Sequence, residues 1–389
     1  MKILGMISGT SVDGIDLALV DLAGDLVSDR RQANQIKLNL IAAHTYPYPP
    51  ALRMEILQVC ASAPRSLSQL DQLDRAIARV FAEAAHTLIQ QTEITPDLIA
   101  SHGQTLFHQP PTPDQLGTSW QMGRGELIAD HTGITTISNF RAADLALGGE
   151  GAPLVPMLDW LLFTDHNCDR CIQNIGGISN LTYLPAKAPP ERVIGFDNGP
   201  GNLLIDLAAQ RFFAQAYDPD GWFAAQGQID QSLVQSWLQE PFLHLLPPKS
   251  TGRELFTSAY FDHLVESAPH LSPHDLLACL TEFTAQAIAL SYEKFLPQLP
   301  DQVLICGGGS RNLYLKARLE ALLAPAQVFT TEPFGIDPDF KEAIAFAVLG
   351  YLRMQNLPGN LPSVTGAKHP TLLGEIHPII PTTDKASKI

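Results

Sequence analysis

The stretch KILGMISGTSVDGIDLALVDL, residues 2–22, decides the fold. KILGMI is an apolar run, SGTSVDG is built of turn formers, and IDLALVDL alternates apolar and polar with period two, so the segment reads strand, turn, strand. A second piece of similar design, RCIQNIGGISNLTYLP at 170–185, has an apolar run, a double glycine and another strand. Two hairpins with Gly, Ser, Thr and Asn at their tips, far apart in one chain, point to a duplicated architecture. Their letters differ too much to be a sequence repeat.

Helix and strand patterns alternate around these hairpins. Residues 69–91 place Leu70, Leu73, Ile77, Val80, Phe81, Ala84 and Leu88 on one helical face. SPHD at 272–275 supplies an N-cap Ser272, Pro273 at the first helical position and Asp275 three after the cap. DQVLICGGGSRNLYLKARLEALL, 301–323, reads strand, glycine turn, helix. This alternation predicts an α/β protein with parallel or mixed sheets. The predicted domains are 1–135 with about 355–389, and 136–354. LIAS at 98–101 is expected to be a buried strand ending at HGQT, and long active-site loops are expected in 101–123 and 140–156.

Composition narrows the partners. The chain has 389 residues, 45% of them hydrophobic, and a formal charge of −15. So acidic a surface repels phosphate backbones and anionic headgroups, which argues against nucleic acid and membranes as partners. A small anionic substrate needs only a few local cations and stays open. Five cysteines, an odd number, fit a reducing compartment better than a disulfide framework. With no signal-peptide core and no run of about 18 apolar residues, a soluble, cytoplasmic protein is expected.

Three constellations carry chemistry. In GTSVDGID, 9–16, Gly9 and Gly14 permit a tight turn on which backbone N–H groups and the Thr10 and Ser11 hydroxyls can converge on an oxyanion. Asp13 and Asp16 there can hold Mg²⁺ directly or through water, although a plain hairpin turn explains the same letters. In CGGGSRN, 306–312, Gly307, Gly308 and Gly309 let a flat ligand lie on bare backbone beside a helix N-terminus, but Asn312 occupies the third glycine position of a dinucleotide fingerprint. In GFDNGPGNLLID, 195–206, Asp197 ends an apolar run several residues before a helix that Asn202 is better placed to cap. A carboxylate facing a crevice there suits a general base. KSTGREL, 249–255, offers Lys249, Ser250, Thr251 and Arg253 to an anion or caps a surface helix. His102 and His108 are plausible ligand contacts without zinc spacing, and CDRC at 168–171 reads as structural thiols. No Walker motif and no GxSxG elbow occurs.

Taken together, these motifs resemble the actin-like ATPase superfamily of sugar kinases and heat-shock chaperone ATPases. Within it the chain closely resembles the anhydro-N-acetylmuramic acid kinase family, from MISGTSVDGIDLALVDL through SHGQTLFHQP, DLALGGEGAPLVP, QNIGGISNL, GFDNGPGNLLID, KSTGRE and CGGGSRN to LPGNLPSVTGA. The resemblance implies a two-lobed, ribonuclease H-like fold with an interlobe active-site cleft. It also implies a homodimer and an ATP- and Mg²⁺-dependent reaction in peptidoglycan recycling. The substrate would be 1,6-anhydro-N-acetylmuramic acid, opened by water while O6 is phosphorylated. By the same resemblance Gly9, Thr10, Ser11, Val12, Asp13, Gly14, Ile15 and Asp16 form the ATP phosphate loop, Gly307–Gly309 lie by the adenosine, and Asp197 is the catalytic base. His102, Arg141 and Glu342 are candidate substrate contacts, with a solvated or packing role as the alternative for Arg141 and Glu342. Asn198 departs from the Thr that several members carry. A kinase for another sugar, or an ATP-switched binding protein, are the competing readings.

Overall fold

The structure, a computed structural model, describes residues 1–9, 12–24, 36–112, 114–251 and 255–379. Its strands are β1 (Lys2–Ser8), β2 (Ile15–Ala23), β3 (Lys37–Tyr46), β4 (Leu98–Gln109), β5 (Thr118–Met122), β6 (Thr136–Ser138), β7 (Arg170–Ile175), β8 (Ile178–Leu184), β9 (Ile194–Pro200), β10 (Gln302–Cys306), β11 (Gln327–Thr330) and β12 (Glu375–His377). The chain forms two units. One takes residues up to Leu158 and resumes at Glu342, and the other is Asp159–Lys341.

In the first unit the strands lie in the order β12-β6-β4-β1-β2-β3, with β5 paired to β4. β1, β2 and β3 form an antiparallel meander, while β1 runs parallel to β4 and β4 parallel to β6. Central β1 is buried on both faces from Ile3 to Ser8, which is why it reads as an uninterrupted apolar run. The helix Leu67–Thr92 contributes Leu73, Ile77, Phe81, Ala85 and Leu88 to the core, and a capping box of Ser66 with Gln69 starts it. The helix Lys341–Met354 approaches β1 so closely that a Cβ on Gly5 would overlap the Ala343 carbonyl oxygen, and one on Gly350 would stand 2.7 Å from the Ala100 Cβ.

The second unit repeats the plan with the order β11-β10-β7-β8-β9. Again three strands make an antiparallel meander, the first of them pairs in parallel with β10, and β10 pairs in parallel with β11. This strand order and sense is the ribonuclease H-like plan, present twice. The helix Pro273–Phe295 starts as expected, with the Ser272 hydroxyl accepting from the Asp275 amide at 3.2 Å, and supplies Leu276, Leu280, Phe283 and Ala287 to the core.

Two expectations are corrected. The boundaries predicted near 135 and 355 lie at 158/159 and 341/342. Residues 136–158 stay with the first unit because β6 pairs with β4 and β12, and 342–354 stay because their helix packs on Gly5 and Ala100. The region 101–123 is chiefly hairpin, not loop: β4 continues through His102 to Gln109 and pairs with β5 across a bulge between Thr105 and Phe107.

Gly5→Ala is expected to destabilise the protein by about 1–3 kcal/mol, because the added methyl meets backbone that cannot step aside. A fall in the denaturant midpoint at unchanged slope checks this.

Candidate active site

The first hairpin turn lies in the first unit. Thr10 and Ser11 lie outside the described residues. Gly9 ends the turn's first limb, and its carbonyl accepts from the Val12 amide at 3.1 Å and from Gln104 Nε2 at 3.2 Å. Gln104 is buried and also accepts from the Ser8 hydroxyl at 2.6 Å and the Tyr48 hydroxyl at 3.3 Å. Val12 holds φ 57°, which a β-branched residue rarely adopts. The strain, about 1–3 kcal/mol, is matched by burying its side chain completely, worth about 1.5–3 kcal/mol. Arg53 clamps the same turn, Nε donating to the Val12 carbonyl and Nη2 to Asp13 Oδ1, both at 2.8 Å. A side chain on Gly14 would meet Thr45 Cγ2 at 2.7 Å, so only glycine fits. Ile15 opens β2 in the core, and Asp16 accepts from the Thr45 hydroxyl at 2.6 Å. The turn is thus braced from its own unit.

A second cluster of this unit joins three of the predicted contacts. Arg141 donates from Nε to His102 Nε2 at 2.9 Å and from Nη1 to the Gly151 carbonyl at 2.7 Å. Guanidinium cannot accept, so His102 Nε2 carries the lone pair, and Nδ1–H donates to the Gly103 carbonyl at 3.1 Å. Burial, reinforced by the Arg141 charge, drives His102 well below its ordinary range, so the ring is neutral. Burial also pushes Arg141 down to about 10, opposed by the carboxylates of Glu342 and Asp144. Glu342 itself is exposed.

Asp144, which sequence reasoning missed, organises the neighbouring loop. Fully buried, it accepts from the Gly151 amide at 2.8 Å and from Asn360 Nδ2 and the Thr365 hydroxyl, each at 2.7 Å. Its two side-chain partners lie more than two hundred residues away in sequence, so no local signal marked it.

In the second unit Asp197 lies within β9, opposite Asn180 on β8. Its amide donates to the Lys249 carbonyl at 3.1 Å, and its Oδ2 accepts from the Thr251 amide at 2.9 Å. It therefore does not cap the helix Leu203–Phe213. Asn202 holds the cap position, yet its Nδ2 is directed to the Ile175 carbonyl at 3.3 Å. Beside Asp197, the buried Asn198 accepts from Gln173 Nε2 at 2.8 Å while its Nδ2 has no partner. A Thr there would bring one donor fewer to satisfy.

The reading of Lys249 as an anion contact is corrected. Its side chain is 6% exposed and donates to the Phe242 and Leu243 carbonyls. Arg253 lies outside the described residues.

The glycine turn after β10 divides its roles. Gly307 takes φ 76°, and a Cβ on Gly309 would strike Ile175, so both serve the backbone. A Cβ on Gly308 would meet only Asn202 Nδ2 at 3.7 Å, leaving this residue open toward a ligand. Asn312 caps the helix Leu313–Leu322, accepting from the Leu315 amide at 2.9 Å, which accounts for the missing third glycine. Beside this helix start lies an apolar groove lined by Pro219, Gly221, Trp222, Leu313 and Tyr314. The cysteines are free thiols, with Cys171 pushed up to about 12 by burial.

A ribonuclease H-like plan present twice, with a braced glycine turn in one unit and a strand-borne carboxylate and a second glycine turn in the other, defines the actin-like ATPase class that includes sugar kinases. A family model described as Anhydro-N-acetylmuramic acid kinase matches residues 1–379, and the chain belongs to that family. Relatives bearing that same description are 52% identical in Synechocystis sp. (97% of this chain, 98% of the relative), 53% in Microcystis aeruginosa (97% and 100%) and 51% in Acaryochloris marina (97% and 100%). The protein is a kinase.

Because the unfolded chain takes up a proton at His102 that the native state refuses, acidification below about 6.5 costs stability. His102→Gln is expected to reduce the loss of unfolding free energy between pH 6.5 and 5, which for one such group reaches about 1.4 kcal/mol per pH unit. Denaturant titrations of both proteins across this range measure it.

Proposed function

We propose that this chain phosphorylates O6 of 1,6-anhydro-N-acetylmuramic acid with ATP while water opens the anhydro bridge, giving N-acetylmuramic acid 6-phosphate and ADP in peptidoglycan recycling. The observation that supports it most is Asp197: a carboxylate placed by strand pairing and by the Thr251 amide, not spent on a helix cap. Asp197 takes a proton from water, whose oxygen bonds to the anomeric carbon as the C1–O6 bond breaks. O6 leaves with the electron pair and attacks the γ-phosphorus, and the bond to the ADP oxygen breaks. Positioning and charge neutralisation dominate such phosphoryl transfer.

The remaining roles are assigned on the same reading. The 9–16 turn would take the phosphates, and Gly308 with the groove at Trp222 and Leu313 the adenosine. Among the described residues no three metal-binding side chains cluster, which fits an ion that arrives with the nucleotide and needs one or two carboxylates besides phosphate and water. Asp16 and Asp13 would hold Mg²⁺, which would supply charge neutralisation. Arg141, oriented by His102, would meet the carboxylate of the sugar acid, with Glu342 on a hydroxyl. A cytoplasmic homodimer completes the reading; no helix among the described residues is long and apolar enough to cross a membrane.

A coupled ADP-release assay with Mg-ATP and 1,6-anhydro-N-acetylmuramic acid in ¹⁸O-water tests the reading. The wild type is expected to yield the ring-opened 6-phosphate with ¹⁸O at C1, and Asp197→Asn to be slower by about 10²–10⁴-fold. ADP release without conversion of this sugar would make another sugar the acceptor.

A further inference from the structure

Lys249 carries a buried ammonium for which the proposed reaction has no use. Its Nζ donates to the carbonyls of Phe242 at 3.2 Å and Leu243 at 3.3 Å. The ring centres of Phe295, Phe242 and Phe196 stand 4.6, 4.8 and 5.7 Å from it. Aromatic faces and carbonyl oxygens together make a cage for a cation. Burying a charge is costly, so a cage of this kind needs a structural return.

That return lies along the backbone. The Lys249 carbonyl accepts from the Asp197 amide, and two residues on the Thr251 amide donates to Asp197 Oδ2. Residues 249–251 therefore lie beside β9, anchored by the caged ammonium and delivering an amide to the carboxylate. Burial pushes Lys249 down to about 8, Asp197 opposes that shift and Lys294 adds to it. The charged and titratable groups around the pair among the described residues are Lys294, on the helix Pro273–Phe295, and its hydrogen-bond partner His244.

We propose that Lys249 is a positioning residue for Asp197: its caged ammonium holds residues 249–251 against β9 so that the Thr251 amide keeps the Asp197 carboxylate aimed and ionised. The inference rests on Asp197 being the general base. An amide hydrogen bond and a nearby cation both favour the carboxylate, so losing them raises the pH at which the base becomes active.

Lys249→Met is expected to lower kcat on the order of 10- to 100-fold with little change in KM for ATP. The acidic limb of its kcat–pH profile should move up by about one unit. A folded Lys249→Met with wild-type kcat and an unmoved limb overturns the proposal. If that variant does not fold, Thr251→Pro, which deletes the amide and spares the cage, decides: the limb moves up as well, or the proposal falls. Thr251→Ala keeps the amide and should leave the limb in place; a limb moved equally by Ala and Pro counts against the amide. An active Asp197→Asn overturns the base reading and this inference with it. An inactive Asp197→Asn alongside unmoved limbs in the other variants overturns this inference alone.

Discussion

Asp159 and Lys341 are the first and last residues of the contiguous second unit, and they form an ion pair at 2.7 Å with both side chains nearly sealed from water. Asp159 Oδ2 accepts from the Thr182 hydroxyl on β8 at 2.7 Å, and Lys341 Nζ stands 3.6 Å from the Cys306 sulfur on β10. The two ends of the unit are thereby tied to each other and to two strands of its sheet. Burial works against the ammonium, and the adjacent carboxylate more than offsets it, so Lys341 is held above its ordinary range. Removing one partner strands the other in a low-dielectric interior, which costs more than replacing both by apolar groups of the same volume. Everything from β7 to β11, Asp197 and the glycine turn included, lies within the segment this pair closes.

A common logic connects the chemical groups of the two units. Each is held chiefly by backbone or buried polar partners; the exposed Arg53–Asp13 ion pair at the first turn contributes little. Val12 is kept in a strained conformation by its own burial and by Arg53, His102 is fixed in one tautomer by Arg141, and Asp197 is held by strand pairing and by the Thr251 amide. Such groups require little reorganisation when a substrate arrives, which is where preorganised sites gain their rate.

What the sequence disclosed was what local physics writes into it. The hairpin at β1–β2, the helix Leu67–Thr92 and the cap at Ser272 are legible because period, turn chemistry and capping act over a few residues. The boundary near 135 was misread because β6 is too short to announce itself and is held by β4 and β12. The Lys249 cage draws its rings from Phe196, Phe242 and Phe295, and Asp144 draws its partners from Asn360 and Thr365. Side chains that polar or charged letters mark as exposed are buried at both places, because tertiary structure brings distant partners to them. Asp197 itself was legible as a carboxylate out of place for a cap, and the segment 249–255 stood out as well, but not its bonds to Asp197.

The fit of the helix Lys341–Met354 over Gly5 sets an order of events on the ribosome. β1 is among the first segments made, yet the helix that covers it emerges only after the whole second unit. At about 5–20 residues per second, the more than two hundred residues between β5 and that helix take on the order of 10–40 s to synthesise. Throughout that interval the nascent first sheet keeps one apolar face bare, and the second unit is complete as soon as Lys341 is made, before the covering helix is. The half of the molecule translated first is thus finished last, and it is the half that a holding chaperone would have to shield.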